Sequence, residues 1–325
     1  MRRREFITLL GGAAAAWPLA ARAQRGTQPR AGLLWVASEG VVKSYEESMR
    51  AGFHDVGYIE GRNFILDVRY ANGDVARLPA LIDDLIALKP DVLLGNNQVA
   101  ALMKAKTATI PIVLNWSYDR VEIGLVQSLS HPGGNVTGMA TMYEDLLTKH
   151  VELAGELVPG MSRIGFINDA TDPSAERFDA IAEKAAHAKN AGLTSMPVRD
   201  RESVEAAFAK FGPDHPDVLI VGLSGGLFNL REPIFEGARK FHIPVIYSFE
   251  GFVKAGGLVS YAPSYHATFR RSITFVDKIF KGAKPADLPI EQPTKFEFVI
   301  NLPTVRALGI DIPPTLLARA DEVIE

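Results

Sequence analysis

Short apolar runs alternate with stretches of helical periodicity along most of this chain, and that rhythm constrains the fold more than any other feature. Residues 31–37 are continuously apolar, as a strand covered on both faces must be. Tyr45, Met49, Phe53 and Val56 follow at helical spacing, and Gly57 ends that helix. Residues 64–70, 91–94 and 111–115 read as further strands. Helices carrying Leu78, Ile82 and Leu85, then Val99, Leu102 and Met103, separate them. Alternation of this kind builds a parallel sheet covered by helices.

After the turn cluster His131-Pro132-Gly133-Gly134-Asn135 the rhythm restarts. Residues 163–167, 193–198, 218–221 and 244–247 are the strands of a second set, with helices marked by Phe178 and Ile181, Val204 and Phe208, and Ile234 and Phe235. At 325 residues the chain is long enough for two domains. The fold class expected is α/β, with two Rossmann-like parallel-sheet lobes. A tail adds a short strand over 257–261, a helix through Phe269, Ile273 and Val276, and a proline-rich stretch over 284–293. Alternating Phe296, Phe298 and Ile300 come next, then closing helices over 303–308 and 315–323. A tail that returns to the first lobe makes a multi-strand hinge. The expected division is 24–140 with 251–287 in lobe 1, and 141–250 with 288–325 in lobe 2.

The first residues argue for export. Arg2, Arg3 and Arg4 precede an apolar stretch too short to span a bilayer, and Ala21-Arg22-Ala23 supplies an A-x-A cleavage site. Residues 1–23 therefore read as a signal peptide cleaved after Ala23. Arg3-Arg4-Glu5-Phe6-Ile7 fits the twin-arginine pattern, which places the mature protein in the periplasm. The chain has 0 cysteines, which removes disulfides, thiolate metal sites and cysteine nucleophiles together. A formal net charge of -3 gives no footprint for nucleic acid.

Candidate chemistry is sparse. Gly222-Leu223-Ser224-Gly225-Gly226 matches G-x-S-x-G between a strand and a helix, with Glu250 and His266 following in the order a hydrolase needs. A secreted serine hydrolase using Ser224 is therefore the alternative function. The competing reading is a tight glycine-rich loop at a ligand cleft, and His266 falls at the start of a helical pattern rather than in a free loop. The 7 histidines are scattered without metal-binding spacing, so neither metal nor cofactor is expected.

In open α/β sheets, ligands sit beyond the carboxyl ends of the strands. Those ends carry Trp35 and Ser38; Asn96, Asn97 and Gln98; and Trp116, Tyr118 and Asp119 in the first set. In the second they carry Asn168 and Ser174, Ser224, and Tyr247 and Glu250. Amides, hydroxyls and rings suit a neutral or zwitterionic organic ligand held by directed hydrogen bonds and stacking. Helix N-termini near Asn97 and Ser174 suit a carboxylate, and Asp119 or Glu250 an ammonium.

Several segments carry a family resemblance. They are Gly57-Tyr58-Ile59-Glu60-Gly61-Arg62-Asn63, His131 through Gly138, Lys281 through Pro289, Pro293-Thr294-Lys295-Phe296-Glu297, and Ile312 through Glu322. With them, nearly the whole mature chain resembles the ABC-transporter substrate-binding family, whose members include binders of tryptophan and other aromatic amino acids. The resemblance implies a type I periplasmic-binding-protein fold and a hinged cleft. It also implies a monomer that takes up a small molecule and delivers it to ABC permease subunits in the inner membrane, without catalysis. Asp119, Asn168, Ser174 and Tyr247 match family positions. Asn96-Asn97-Gln98, Arg120 and Ser224-Gly225-Gly226 depart from its usual loops, so the expected ligand is an amino acid or another aromatic or carboxylated metabolite.

Overall fold

The computed structural model describes residues 28–118, 124–212 and 214–325. The segment 1–23 read as a signal peptide, together with Asp119 and Arg120, lies outside the described residues.

Two sheets form, as the doubled rhythm predicts. The first has five strands in the order β2-β1-β3-β4-β5. These are β1 (Arg30–Trp35), β2 (Ile65–Tyr70), β3 (Val92–Gly95), β4 (Ile112–Leu114) and β5 (Val136–Gly138), all paired in parallel. Strands β3, β4 and β5 are buried throughout, because helices cover both faces. The edge strand β2 is only half-buried over most of its length.

Helix α1 (Glu39–Asp55) carries its apolar stripe at Val42, Tyr45, Met49 and Phe53. It lies against a helix from late in the sequence, Tyr265–Phe280, with extensive contact. Gly52 permits that closeness: a Cβ there would stand 2.6 Å from the backbone oxygen of Arg270.

The second sheet has seven strands in the order β12-β11-β10-β9-β8-β6-β7. They are β6 (Arg163–Asp169), β7 (Gly192–Val198), β8 (Val218–Val221), β9 (Val245–Tyr247), β10 (Val259–Pro263), β11 (Phe296–Asn301) and β12 (Glu322–Ile324). All neighbours are parallel except β10 and β11.

The tail differs from expectation in two respects. The stretch 251–287 divides between the sheets: β10 pairs with β9 in the second, while Tyr265–Phe280 packs on the first. A short apolar strand carries no mark of which sheet it joins; here its neighbours are supplied by β9 and β11. The expected helix over 315–323 is a four-residue helix, Pro314–Leu317, followed by β12. Asp321 ties this turn to β11, its Oδ2 accepting from Phe298 N at 2.8 Å and its N–H donating to Phe298 O at 2.9 Å.

The chain passes between the sheets three times: after β5, between β10 and the helix Tyr265–Phe280, and ahead of β11. These passages are bonded to one another. Ala140 N donates to Glu291 O at 2.8 Å, Glu291 N to Gly138 O at 3.0 Å, and Ser264 N to Lys295 O at 2.9 Å. Gly138 begins the first passage at φ +128, where a Cβ would stand 2.4 Å from Leu114 O. The Arg271 guanidinium grips the Glu291 carboxylate through two bonds, 2.8 and 3.0 Å.

Candidate functional site

The carboxyl ends of strands from both sheets face one another across a cleft, where open α/β folds gather their ligands. Two adjoining cavities fill it, with Val36, Asn96, Trp116, Ser224 and Gly225 lining both.

One cavity is polar. The first lobe contributes Asn96, Gln98, Trp116 and Tyr118, and the second contributes Asp169, Thr171, Asp172 and Arg199. Asp169 sits at the end of β6 and is buried. Its Oδ1 accepts from the Thr171 hydroxyl at 2.7 Å and the Thr171 N–H at 2.9 Å, and its Oδ2 accepts from the Ser224 hydroxyl. Asp172 takes the Tyr118 hydroxyl across the cleft and the Ser174 N–H at 2.8 Å. Burial raises the Asp172 carboxyl above the usual carboxylate range, and the Tyr118 hydrogen bond opposes that rise.

The other cavity is aromatic. Trp35, Tyr45, Tyr265 and Phe269 line it from the first lobe, and Phe228 and Phe249 from the second. Its rings touch edge to face and at a tilt: Trp35 to Phe269 at 5.4 Å, Tyr45 to Phe249 at 5.4 Å, and Phe249 to Tyr265 at 5.3 Å between centroids. Trp35 Nε1, Tyr265 Oη and Asn96 Oδ1 are buried and have no hydrogen-bond partner among the described residues.

The residues singled out in the sequence divide. Trp35, Asn96, Gln98, Trp116, Tyr118 and Ser224 line the cleft. Ser38 lies outside both linings and caps α1 only through its backbone oxygen, which accepts from Val41 and Val42. Asn168 turns into the second lobe, where its amide donates to Ala175 O at 2.8 Å and Asp179 Oδ1 at 3.3 Å. Ser174 is buried at the start of the helix Ala175–Ala188. Tyr247 is a core residue stacked on Phe252 at 4.7 Å. Glu250 sits behind the aromatic cavity and accepts from the Tyr45 hydroxyl at 3.1 Å. Asp119, and the side chain of Asn97, lie outside the described residues.

The lining also includes residues that were not among the candidate contacts, although Asp169 and Thr171 stand at the same strand end as Asn168. Strand parity decides the case of Asp169: neighbours along a strand face opposite ways, so when Asn168 points inward Asp169 meets the cleft. Asp172 and the rings of Phe228, Phe249 and Phe269 carry no signal beyond their position after a strand or on a helix stripe.

Ser224 acts as a helix cap. Its oxygen accepts from Gly226 N at 2.9 Å, opening the helix Gly225–Asn229, while its hydroxyl donates to Asp169. His266 shares no hydrogen bond with it. That ring stacks on Tyr45 at 4.6 Å, and its Nδ1 pairs with the Ser48 hydroxyl at 2.8 Å. A Ser224–His266–Glu250 relay is therefore not assembled. Among the described residues, no cluster of three His, Asp or Glu side chains is placed to hold a metal ion, and no helix is long and apolar enough to cross a membrane.

Known proteins share this architecture. A Vibrio cholerae O1 biovar El Tor conserved domain protein superposes with a TM-score of 0.85 at 24% identity, over 91% of this chain and 100% of that one. A Streptococcus pneumonia ABC domain solved in complex with L-Trp gives 0.83 at 22% identity, over 92% and 100%. In sequence, a tyrosine-binding protein of Clostridioides difficile (strain R20291) is 26% identical over 277 residues, 84% of this chain and 76% of that protein. The sequence profile of the ABC transporter substrate binding proteins matches residues 35–324, which include both sheets apart from the first residues of β1 and every residue of the cleft named above. The chain belongs to the ABC transporter substrate-binding protein family.

Proposed function

We propose that this chain is the periplasmic solute-binding component of an ABC importer, and that it closes its two lobes on an aromatic amino acid or a closely related metabolite. The observation that carries this reading is the split cleft, with carboxylates at one end and rings at the other. The ring of the solute stacks among Trp35, Trp116, Phe249 and Phe269. Its ammonium lies against Asp169 and Asp172. Its carboxylate meets the N-terminus of the helix Asn97–Lys106, whose cap residue Asn96 makes no side-chain bond to the helix. Hinge motion at the three passages opens the cleft, and the permease in the inner membrane receives the solute unchanged. Export by the twin-arginine signal and action as a monomer complete the proposal. The tyrosine-binding and L-Trp-bound relatives support this ligand class.

A thermal-shift screen over the amino acids and a set of aromatic acids tests it, together with native mass spectrometry of the purified chain. The expected result is stabilisation by L-tyrosine, L-tryptophan or a close analogue, with little response to acidic or small aliphatic amino acids. Stabilisation only by sugars or by dicarboxylates would overturn the ligand class.

A further inference from the structure

Glu250 was a candidate ligand contact, yet its position gives it other work. It opens the helix Glu250–Lys254 on the second lobe and is 1% exposed. Its Oε1 accepts from the hydroxyl of Tyr45, which belongs to α1 of the first lobe. Its Oε2 is buried with no partner among the described residues. Tyr45 lines the aromatic cavity, and so does Phe249, the residue before Glu250. One hydrogen bond thus joins the lobes directly behind the surface where a ring would sit.

We propose that Glu250 is a positioning residue that clasps the lobes through Tyr45, so that capture of the solute is tighter when its carboxyl carries a proton. The affinity part of this inference rests on the binding function proposed above; the clasp itself does not.

The surroundings fix the direction. From α1 the carboxyl faces Tyr45. From the helix Tyr265–Phe280 it faces Tyr265 and His266, whose Nε2 is 3.8 Å from Oε1. The backbone N–H at Glu250, the Tyr45 hydroxyl and Lys254 on its own helix favour the charged form, in that order, and Glu297 on β11 opposes it. Glu297 is itself paired with Lys295 at 2.8 Å. Burial dominates and pushes the Glu250 carboxyl up from 4.5 to about 7. His266 offers little compensating charge near neutrality, because burial and then Lys254 hold it below the usual imidazole range. Separating the lobes returns the carboxyl to water and toward its ordinary value. The closed form therefore binds this proton more tightly than the open form, and by linkage a falling pH favours closure. Full recovery on opening makes the effect about thirtyfold between pH 8.5 and pH 5.5.

The test is small-angle X-ray scattering of the ligand-free chain at pH 5.5 and 8.5, with L-tryptophan titrations at the same pH values. The wild type should be more compact at pH 5.5. Glu250→Gln, a neutral isostere that still accepts from Tyr45, should stay compact at both. Tyr45→Phe keeps the ring and loses the bond, so it should shift toward the extended form at both. Asp172, bonded across the cleft to Tyr118, and His266 beside Glu250 remain in every variant, and any dependence left in Glu250→Gln is their share. Identical wild-type scattering at the two pH values overturns the clasp, as does full retention of the dependence in Glu250→Gln. A pH-dependent compaction without L-tryptophan binding leaves the clasp standing and removes the ligand assignment. Equal L-tryptophan affinity at both pH values removes the coupling to capture.

Discussion

The two lobes share an architecture but turn different chemistry toward the cleft. The first presents most of the rings, from Trp35, Tyr45, Trp116 and Phe269, with the amides of Asn96 and Gln98. The second presents Asp169 and Asp172, the Ser224 hydroxyl and the bare backbone of Gly225 and Gly226. A ring platform gains from every Å² it covers, at about 25 cal/mol per Å², and is tolerant of what covers it. A buried carboxylate is intolerant, since an unmatched charge beside it is expensive. Under the proposed function, the contrast would assign much of the affinity to the first lobe and the choice of head group to the second.

The largest effect that would break this division comes from Asp169. Asp169→Ala removes a carboxylate that also anchors Ser224 and Thr171, and should weaken binding of an amine-bearing aromatic by about 2–5 kcal/mol, read by calorimetry. If an analogue without the amine loses as much, the division fails. A second contrast is in stability. His150, buried in the second lobe, is pushed down to about 4 by burial, with its Nε2 on Tyr261 O at 2.7 Å. The unfolded chain binds this proton near pH 6.5 and the folded chain does not. Stability is therefore untouched above that pH and falls as pH drops from about 6.5 to 4, by roughly 3 kcal/mol in all. Hydrogen exchange at pH 7 and pH 4.5 should show the second lobe losing protection first; equal loss in both lobes contradicts it. The smallest effect sharpens the ring platform. Trp116→Phe keeps a ring and trims its area, and should cost about 1 kcal/mol of ligand affinity, roughly fivefold, without altering the preference for an amine.

Much of the fold was legible because its signals are local and repeated. Continuous apolar runs marked β3, β4 and β8, and the Tyr45–Met49–Phe53 stripe marked α1. Sheet membership was not local. Residues 257–261 read as a strand, but only tertiary pairing sends β10, observed at Val259–Pro263, to the second sheet. The site was half legible for a related reason. Strand ends located the cleft, yet one step of parity exchanged Asn168 for Asp169. Tyr247 likewise stands at a strand end and turns into the core. Glu250 follows a strand as a ligand contact would, but it binds Tyr45 of the opposite lobe, a partner 205 residues away that no spacing rule reveals.

The most direct test of the account is a calorimetric titration with three matched ligands: L-tryptophan, tryptamine, which keeps the amine alone, and indole-3-propionate, which keeps the carboxylate alone. The account predicts that L-tryptophan binds best, that tryptamine retains measurable affinity, and that indole-3-propionate is rejected by Asp169 and Asp172. Binding of indole-3-propionate as tight as that of L-tryptophan would contradict it.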